Sequence, residues 1–142
     1  MSSDGNENPF RIWRELGELM TKNCTVIRYN NKLKDTDAKL LELLDRFNHI
    51  NLSDKSMWAN TSFAFTRQLY NMLQLSRVIA QGALMRNESR GAHYKPDFPT
   101  RDDANWLKTT RAKWCSGEIH LTYDPVDISL IPPRVRKYDA TK

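Results

Sequence analysis

Glycine is scarce in this chain, with five residues in 142, at positions 5, 17, 82, 91 and 117. A turn of glycines that wraps backbone amides around phosphates therefore has nowhere to form. No GxGxxG, GxxxxGK[ST], GxSxG or HExxH pattern occurs either. Cysteine is scarcer still: Cys24 and Cys115 form no CxxC pair, and only His49, His93 and His120 could join them as soft metal ligands. A structural zinc site has no support, and two free thiols fit a reducing compartment. No apolar run approaches the roughly 18 residues of a membrane span, and the first residues lack the apolar stretch of a secretory signal. The expectation is a soluble, unexported, cytoplasmic chain.

A concentrated basic face is also missing. The formal charge is +5, but residues 1–85 carry 11 Lys/Arg against 9 Asp/Glu, and residues 86–142 carry 11 against 8. The excess is thin and interleaved with acids, whereas binding to a phosphate backbone needs a basic stripe. No nucleic-acid partner is expected.

What is present is helical periodicity. After a polar stretch, 1–8, read as flexible, Asn8-Pro9 offers an N-cap followed by a proline where its missing N–H costs nothing. Phe10, Trp13, Leu16, Leu19 and Met20 then predict a helix over about 9–22. Leu33, Leu40, Leu41, Leu44 and Phe47 predict a second over 31–48, and Phe65, Leu69, Met72, Leu73, Ile79, Ala80 and Ala83 a third over 58–86. All three stripes are expected to be core. The fold class is mainly α: an antiparallel three-helix bundle of spectrin-repeat type over 9–91. An extended segment over 92–142 follows, with a hairpin (107–114 and 119–123, turning at Ser116-Gly117) and a Pro-rich basic tail. A lone hairpin is marginal in water, so it needs another surface to lie on.

The stretch RNESRGAHYKPDFPTRDD, from Arg86 to Asp103, resembles an active site in composition. Ser89, His93 and Asp97 recur every four residues, but Gly91 and Pro96 oppose a helix there and no oxyanion donors are evident. Asp102-Asp103 read more simply as a helix start capped by Thr100. His93 reads as a hydrogen-bonded structural histidine, and Arg90 as a fixed charge suited to gripping carboxylates or chain carbonyls between two bodies. The segment is expected to dock and to cap the long helix, and not to catalyse.

The segments NPFRIWRELGELMTKNCTVIRYNNKL, FTRQLYNMLQLSRVIAQGALMRNESRGAHYKPDFPTRDDANWLKTT and LTYDPVDISL resemble the C-terminal part of the succinate dehydrogenase/fumarate reductase flavoprotein subunit. The dehydrogenase is favoured. The phrase Ser-Arg-Gly-x-His followed by Asp97-Phe98-Pro99 carries most of the resemblance, which spans about Glu7 to Leu130. It implies a parent that oxidises succinate to fumarate with FAD and passes electrons to an iron–sulfur subunit. It also implies a membrane anchor subunit, with the complex peripheral on the cytoplasmic face of the bacterial inner membrane or on the mitochondrial matrix side. The flavin-binding and capping domains of that parent hold the flavin and substrate sites. This chain is therefore expected to carry no catalytic, cofactor or metal residue, and to be inactive alone. The resemblance makes Arg86, Glu88, Ser89, Arg90, Gly91, His93, Asp97, Arg101, Asp102 and Asp103 candidates for docking onto those domains. The alternatives are a stand-alone helical interaction module and the C-terminal domain of the related L-aspartate oxidase.

Overall fold

The structure, a computed structural model, describes residues 5–134. The remainder of the expected flexible start (1–4) and of the basic tail (135–142) lie outside the described residues. Two compact units divide at Asp102/Asp103.

The first unit contains three helices. Helix α1 (Pro9–Asn23) starts as expected, with Asn8 Oδ1 accepting from the Phe10 amide at 2.8 Å. Helix α2 (Asn30–Phe47) has no side-chain cap. The link before it runs extended instead: Arg28 N donates to the Tyr94 carbonyl (2.9 Å) and Tyr94 N to the Val26 carbonyl (3.0 Å). Helix α3 (Thr61–Met85) starts three residues later than its apolar pattern suggests. Asn60 is the cap: its Oδ1 accepts from Phe63 N, while its Nδ2 donates to the carbonyls of Asp54 and Ser56. Loop 51–60 thus competes successfully for residues 58–60, and Ala59 takes φ +52°.

Contacts between the helices give their directions. The end of α1 meets the start of α2 where Asn23 Nδ2 donates to Thr36 Oγ1 (2.9 Å). At the other end Arg46 donates to both carboxylate oxygens of Glu7 (2.8 and 3.0 Å) and of Glu15 (2.7 and 3.0 Å). Within the stretch read as flexible, Glu7 is held further by backbone bonds to His49 and Asn51. Gly5 lies so close against the His49 carbonyl that no Cβ fits there. Asp37, early in α2, accepts from Arg77 and Gln81, late in α3 (both 3.0 Å). Phe10 stacks on Phe65 at 4.6 Å, start against start. These contacts make the bundle up-down-up.

The core consists of Ile12, Leu16, Leu33, Leu40, Leu43, Leu69, Leu73, Ala80 and Ala83, with Ile50 and Cys24 at its ends. Several residues expected inside are not. Phe10, Trp13, Leu41, Met72 and Ile79 are 38–51% exposed, and Ile12 and Leu43 fill places that spacing had left unassigned. Helix α3 buries a narrow face, Thr66-Leu69-Leu73-Ser76-Ala80-Ala83, so its remaining apolar residues fall on a second, outward face. Thr66 is accommodated because its Oγ1 donates back to the Ser62 carbonyl (2.8 Å). Ile79→Gln is accordingly expected to change stability by less than about 1 kcal/mol in a urea titration.

The second unit opens with one turn, α4 (Asp103–Trp106), then β1 (Lys108–Cys115) and β2 (Glu118–Pro125), paired antiparallel from Lys108↔Pro125 to Cys115↔Glu118. Ser116 (φ +52°) and Gly117 (φ +86°) make the two-residue turn, whose positive angles match the twist of the strands. Cross-strand partners share a face, so the register sorts the side chains. Thr110/Tyr123, Ala112/Leu121 and Trp114/Ile119 lie on one face, and Arg111/Thr122 and Lys113/His120 on the other. Lys108 Nζ sits 4.9 Å from both the Trp106 and Tyr123 ring centres. No residue between 103 and 134 is buried, and Trp114 (47%), Leu130 (92%) and Ile131 (79%) are open to solvent.

Candidate docking site

The change of character that the sequence places at 91/92 does not end the first unit. Residues 86–102 fold back onto it. They are built around Glu88, whose side chain is fully buried. One carboxylate oxygen accepts from Arg86 Nη1 (2.6 Å) and Arg90 Nε (2.9 Å), and the other from Arg90 Nη2 and the Asp102 amide (both 3.0 Å). Burial by itself would raise this carboxyl. Hydrogen bonds from Arg90, the Asp102 amide and Arg86 outweigh that, so Glu88 is held below the ordinary carboxylate range.

Ser89 is the second knot. Its Oγ accepts from the Lys95 amide (2.9 Å) and donates to the Phe98 carbonyl (2.7 Å), while its amide donates to the Thr100 carbonyl. Between these knots Arg90 and His93 exchange two backbone bonds across a tight turn, and Gly91 (φ +57°) supplies its left-handed position. His93 lies half-buried between Arg28 Nη1, 2.7 Å from Nδ1, and the Arg86 carbonyl, 3.0 Å from Nε2. A guanidinium can only donate, so Nδ1 accepts and the proton sits on Nε2. Burial, with the Arg28, Lys95 and Arg86 charges, pushes the imidazole pKa down although the Arg86 carbonyl opposes it.

The structure thus brings together Arg86, Glu88, Ser89, Arg90, Gly91, His93 and the Asp102 amide. Arg101 is half-buried, and Asp103 opens α4 in the second unit. The Thr100 carbonyl accepts from the Ser89 amide. Asp97 is exposed and reaches the network only through space, by favouring the charge on Lys95.

Two members went unforeseen. Arg28, from the α1–α2 link, also donates to the carbonyls of Thr25 (2.7 Å) and Cys24 (3.1 Å), and burial lowers its pKa. Lys95 is 1% exposed. Its Nζ donates to the Leu84 carbonyl and Asn87 Oδ1 (both 3.0 Å) and lies 5.9 Å from the Phe98 ring centre. Among the described residues no carboxylate comes within ion-pair distance of it. Burial first, and Arg28 next, push its pKa down to about 8. Neither residue had a local signal, because both acquire their roles from segments some 65 and 8–11 positions away.

The residues present do not fit a flavin dinucleotide. Gly17 and Gly82 lie within helices, Gly91 and Gly117 occupy tight turns, and Gly5 is wedged against His49. None forms the turn into a helix that cradles a pyrophosphate. A cavity of about 330 Å³ between Leu52, Lys55, Met57 and Phe63 has a mixed lining and no such turn.

Three helices, a buried-carboxylate corner and a two-stranded antiparallel hairpin define a mainly helical domain. A family model described as the fumarate reductase flavoprotein C-terminal domain matches residues 13–138, and the chain belongs to that family. The succinate dehydrogenase flavoprotein subunit of Bacillus subtilis is 55% identical over this whole chain, which spans 25% of it. The fumarate reductase flavoprotein subunit of Escherichia coli is 36% identical over 97% of this chain, which spans 23% of that relative. A solved structure of Escherichia coli quinol fumarate reductase superposes with TM-score 0.90 at 35% identity, covering 95% of this chain and 24% of that one. The chain therefore spans about a quarter of the length of these relatives. The likenesses favour the dehydrogenase/reductase branch over an unrelated interaction module or an L-aspartate oxidase. No helix among the described residues is long and apolar enough to cross a membrane.

Proposed function

We propose that this chain serves as the C-terminal docking domain of a succinate dehydrogenase flavoprotein subunit. In this reading the parent oxidises succinate to fumarate with FAD and passes the electrons to an iron–sulfur subunit. A membrane anchor subunit holds the complex on the cytoplasmic face of the bacterial inner membrane, or on the matrix side in mitochondria. The observation that carries the reading is the second unit: a hairpin with one apolar face and no buried side chain among its described residues. Two strands alone are barely stable in water, so such an element persists by lying on a larger body. The flavin-binding and capping domains supply that body. The corner at 86–102 is the second contact. Its charges turn inward on Glu88, so it offers a preset shape bordered by exposed Tyr94, Asp97 and Thr100.

A graft tests this. The last quarter of the Bacillus subtilis subunit is replaced with this chain, and flavin content and succinate-dependent dye reduction are measured. The graft is expected to retain flavin and turnover, whereas the 142-residue chain alone binds no FAD and gives no turnover above buffer. Flavin bound by the isolated chain, or a graft that loses it, would reject the reading.

A further inference from the structure

The α1–α2 link and the turn after α3 are joined by the Arg28–His93 side-chain contact, flanked by the two backbone bonds between Arg28, Tyr94 and Val26, with Asn30 Nδ2 donating to Asn87 Oδ1 (3.1 Å) at the start of α2. We propose that this junction is an acid-released latch: neutral His93 ties the turn to the link, and its protonation frees the turn while the bundle stays folded. In terms of function the inference rests on the docking reading, since the freed turn belongs to the proposed docking corner.

The argument is one of proton placement. Nε2 already carries a proton and donates it to the Arg86 carbonyl, so an added proton must go to Nδ1. There it meets Arg28 Nη1 at 2.7 Å, donor against donor and cation against cation. The charges acting on His93 from the surrounding elements are Arg28 on the link, Arg86 at the end of α3 and Lys95 on its own segment. Glu88, the carboxylate of this corner, accepts from Arg86 and Arg90 and has no hydrogen bond to the His93 ring. An imidazolium here meets the Arg28 guanidinium directly, with Lys95 and Arg86 as further positive charges.

One of the two groups must then move, and the bonding decides which. Arg28 remains anchored to its own link through the Thr25 and Cys24 carbonyls. His93 closes a two-residue turn, Gly91-Ala92, and pairs through its backbone with Arg90 of the same segment, not with the link. The turn therefore leaves, and takes with it the Arg28–Tyr94 and Tyr94–Val26 backbone bonds. The core residues of the bundle are not among these groups, and Glu88 stays ionised below its ordinary value of 4.5. Because the imidazole pKa is lowered, release falls below the ordinary histidine value of 6.5. The sign is that of a histidine whose pKa is lowered on folding: the latch is intact above 6.5 and is lost as pH falls.

The test is amide hydrogen exchange on the 142-residue chain at pH 7.5 and 5.2, corrected for intrinsic rates, together with nitrogen NMR of the histidine rings. Protection at the Arg28 and Tyr94 amides is expected to fall about tenfold more than at Leu69 and Leu73. At neutral pH His93 is expected as the Nε2–H tautomer. His93→Gln, which can still accept from Arg28 and donate to Arg86, is expected to abolish the difference. An Nδ1–H tautomer, equal loss at all four amides, or a loss that persists in His93→Gln would each overturn the latch. Flavin retention by the graft at pH 7.5 is independent of these outcomes and continues to test the docking reading.

Discussion

Glu88→Ala is expected to cost about 3–5 kcal/mol of stability, read as a lowered urea midpoint at pH 7. The carboxylate has no exposed surface and is the shared acceptor for Arg86, Arg90 and the Asp102 amide. Truncating it removes an acceptor that two guanidinium groups and a backbone amide share, in a corner that already holds Arg28 and Lys95. The cost comes from breaking that shared buried contact, because a fully satisfied buried ion pair contributes little net stability. Glu88→Gln keeps an acceptor but loses the charge, so its loss should be smaller. The wild-type dependence on pH has a definite direction. The folded carboxyl titrates below 4.5, so its contribution is complete above that value and disappears as pH falls through the lower folded one. If Glu88→Ala left the midpoint unaltered, the corner would not be held by this carboxylate.

Lys95 should make the protein more stable as the medium becomes alkaline. In the unfolded chain its amine binds a proton below 10.5, and in the folded protein only below about 8. Between the two values the unfolded state holds more protons, so stability rises with pH, in total by about 3 kcal/mol for a shift of this size. Lys95→Met cannot titrate, and it leaves the Leu84 carbonyl and Asn87 Oδ1 without their donor. The measurement is the stability difference between wild type and this variant at pH 7.5 and 10.5. It should move in favour of the wild type by roughly that amount. A difference that stays flat would mean that the ammonium is hydrated and not buried against the α3 terminus.

The five donors of Arg90 suggest a grip on carboxylates or chain carbonyls between two bodies. In the fold Nε and Nη2 close on Glu88, two positions earlier. Such a short-range pair becomes strong only when both residues are withdrawn from water, and burial comes from the helices beneath. The same holds for His93, whose structural role was legible, whereas its cationic neighbour Arg28 lies 65 positions away.

By itself the sequence determined what depends on near neighbours. Asn8-Pro9 starts α1 and Ser116-Gly117 turns the hairpin, because caps and positive-φ turns are settled within three or four residues. The 3.6-residue period was enough for three helices, and the phrase around Ser89-Arg90-Gly91 was enough for the family. Only the tertiary structure decided which apolar residues are core. Ile12 and Leu43 are buried while Trp13, Met72 and Ile79 are not, since each helix has more apolar side chains than its two neighbours can cover. It also decided that residues 86–102 belong with the bundle, and that Lys95 is buried without an acid. Those outcomes depend on which distant backbone carbonyls and charges arrive beside a residue, and no local pattern encodes that arrival.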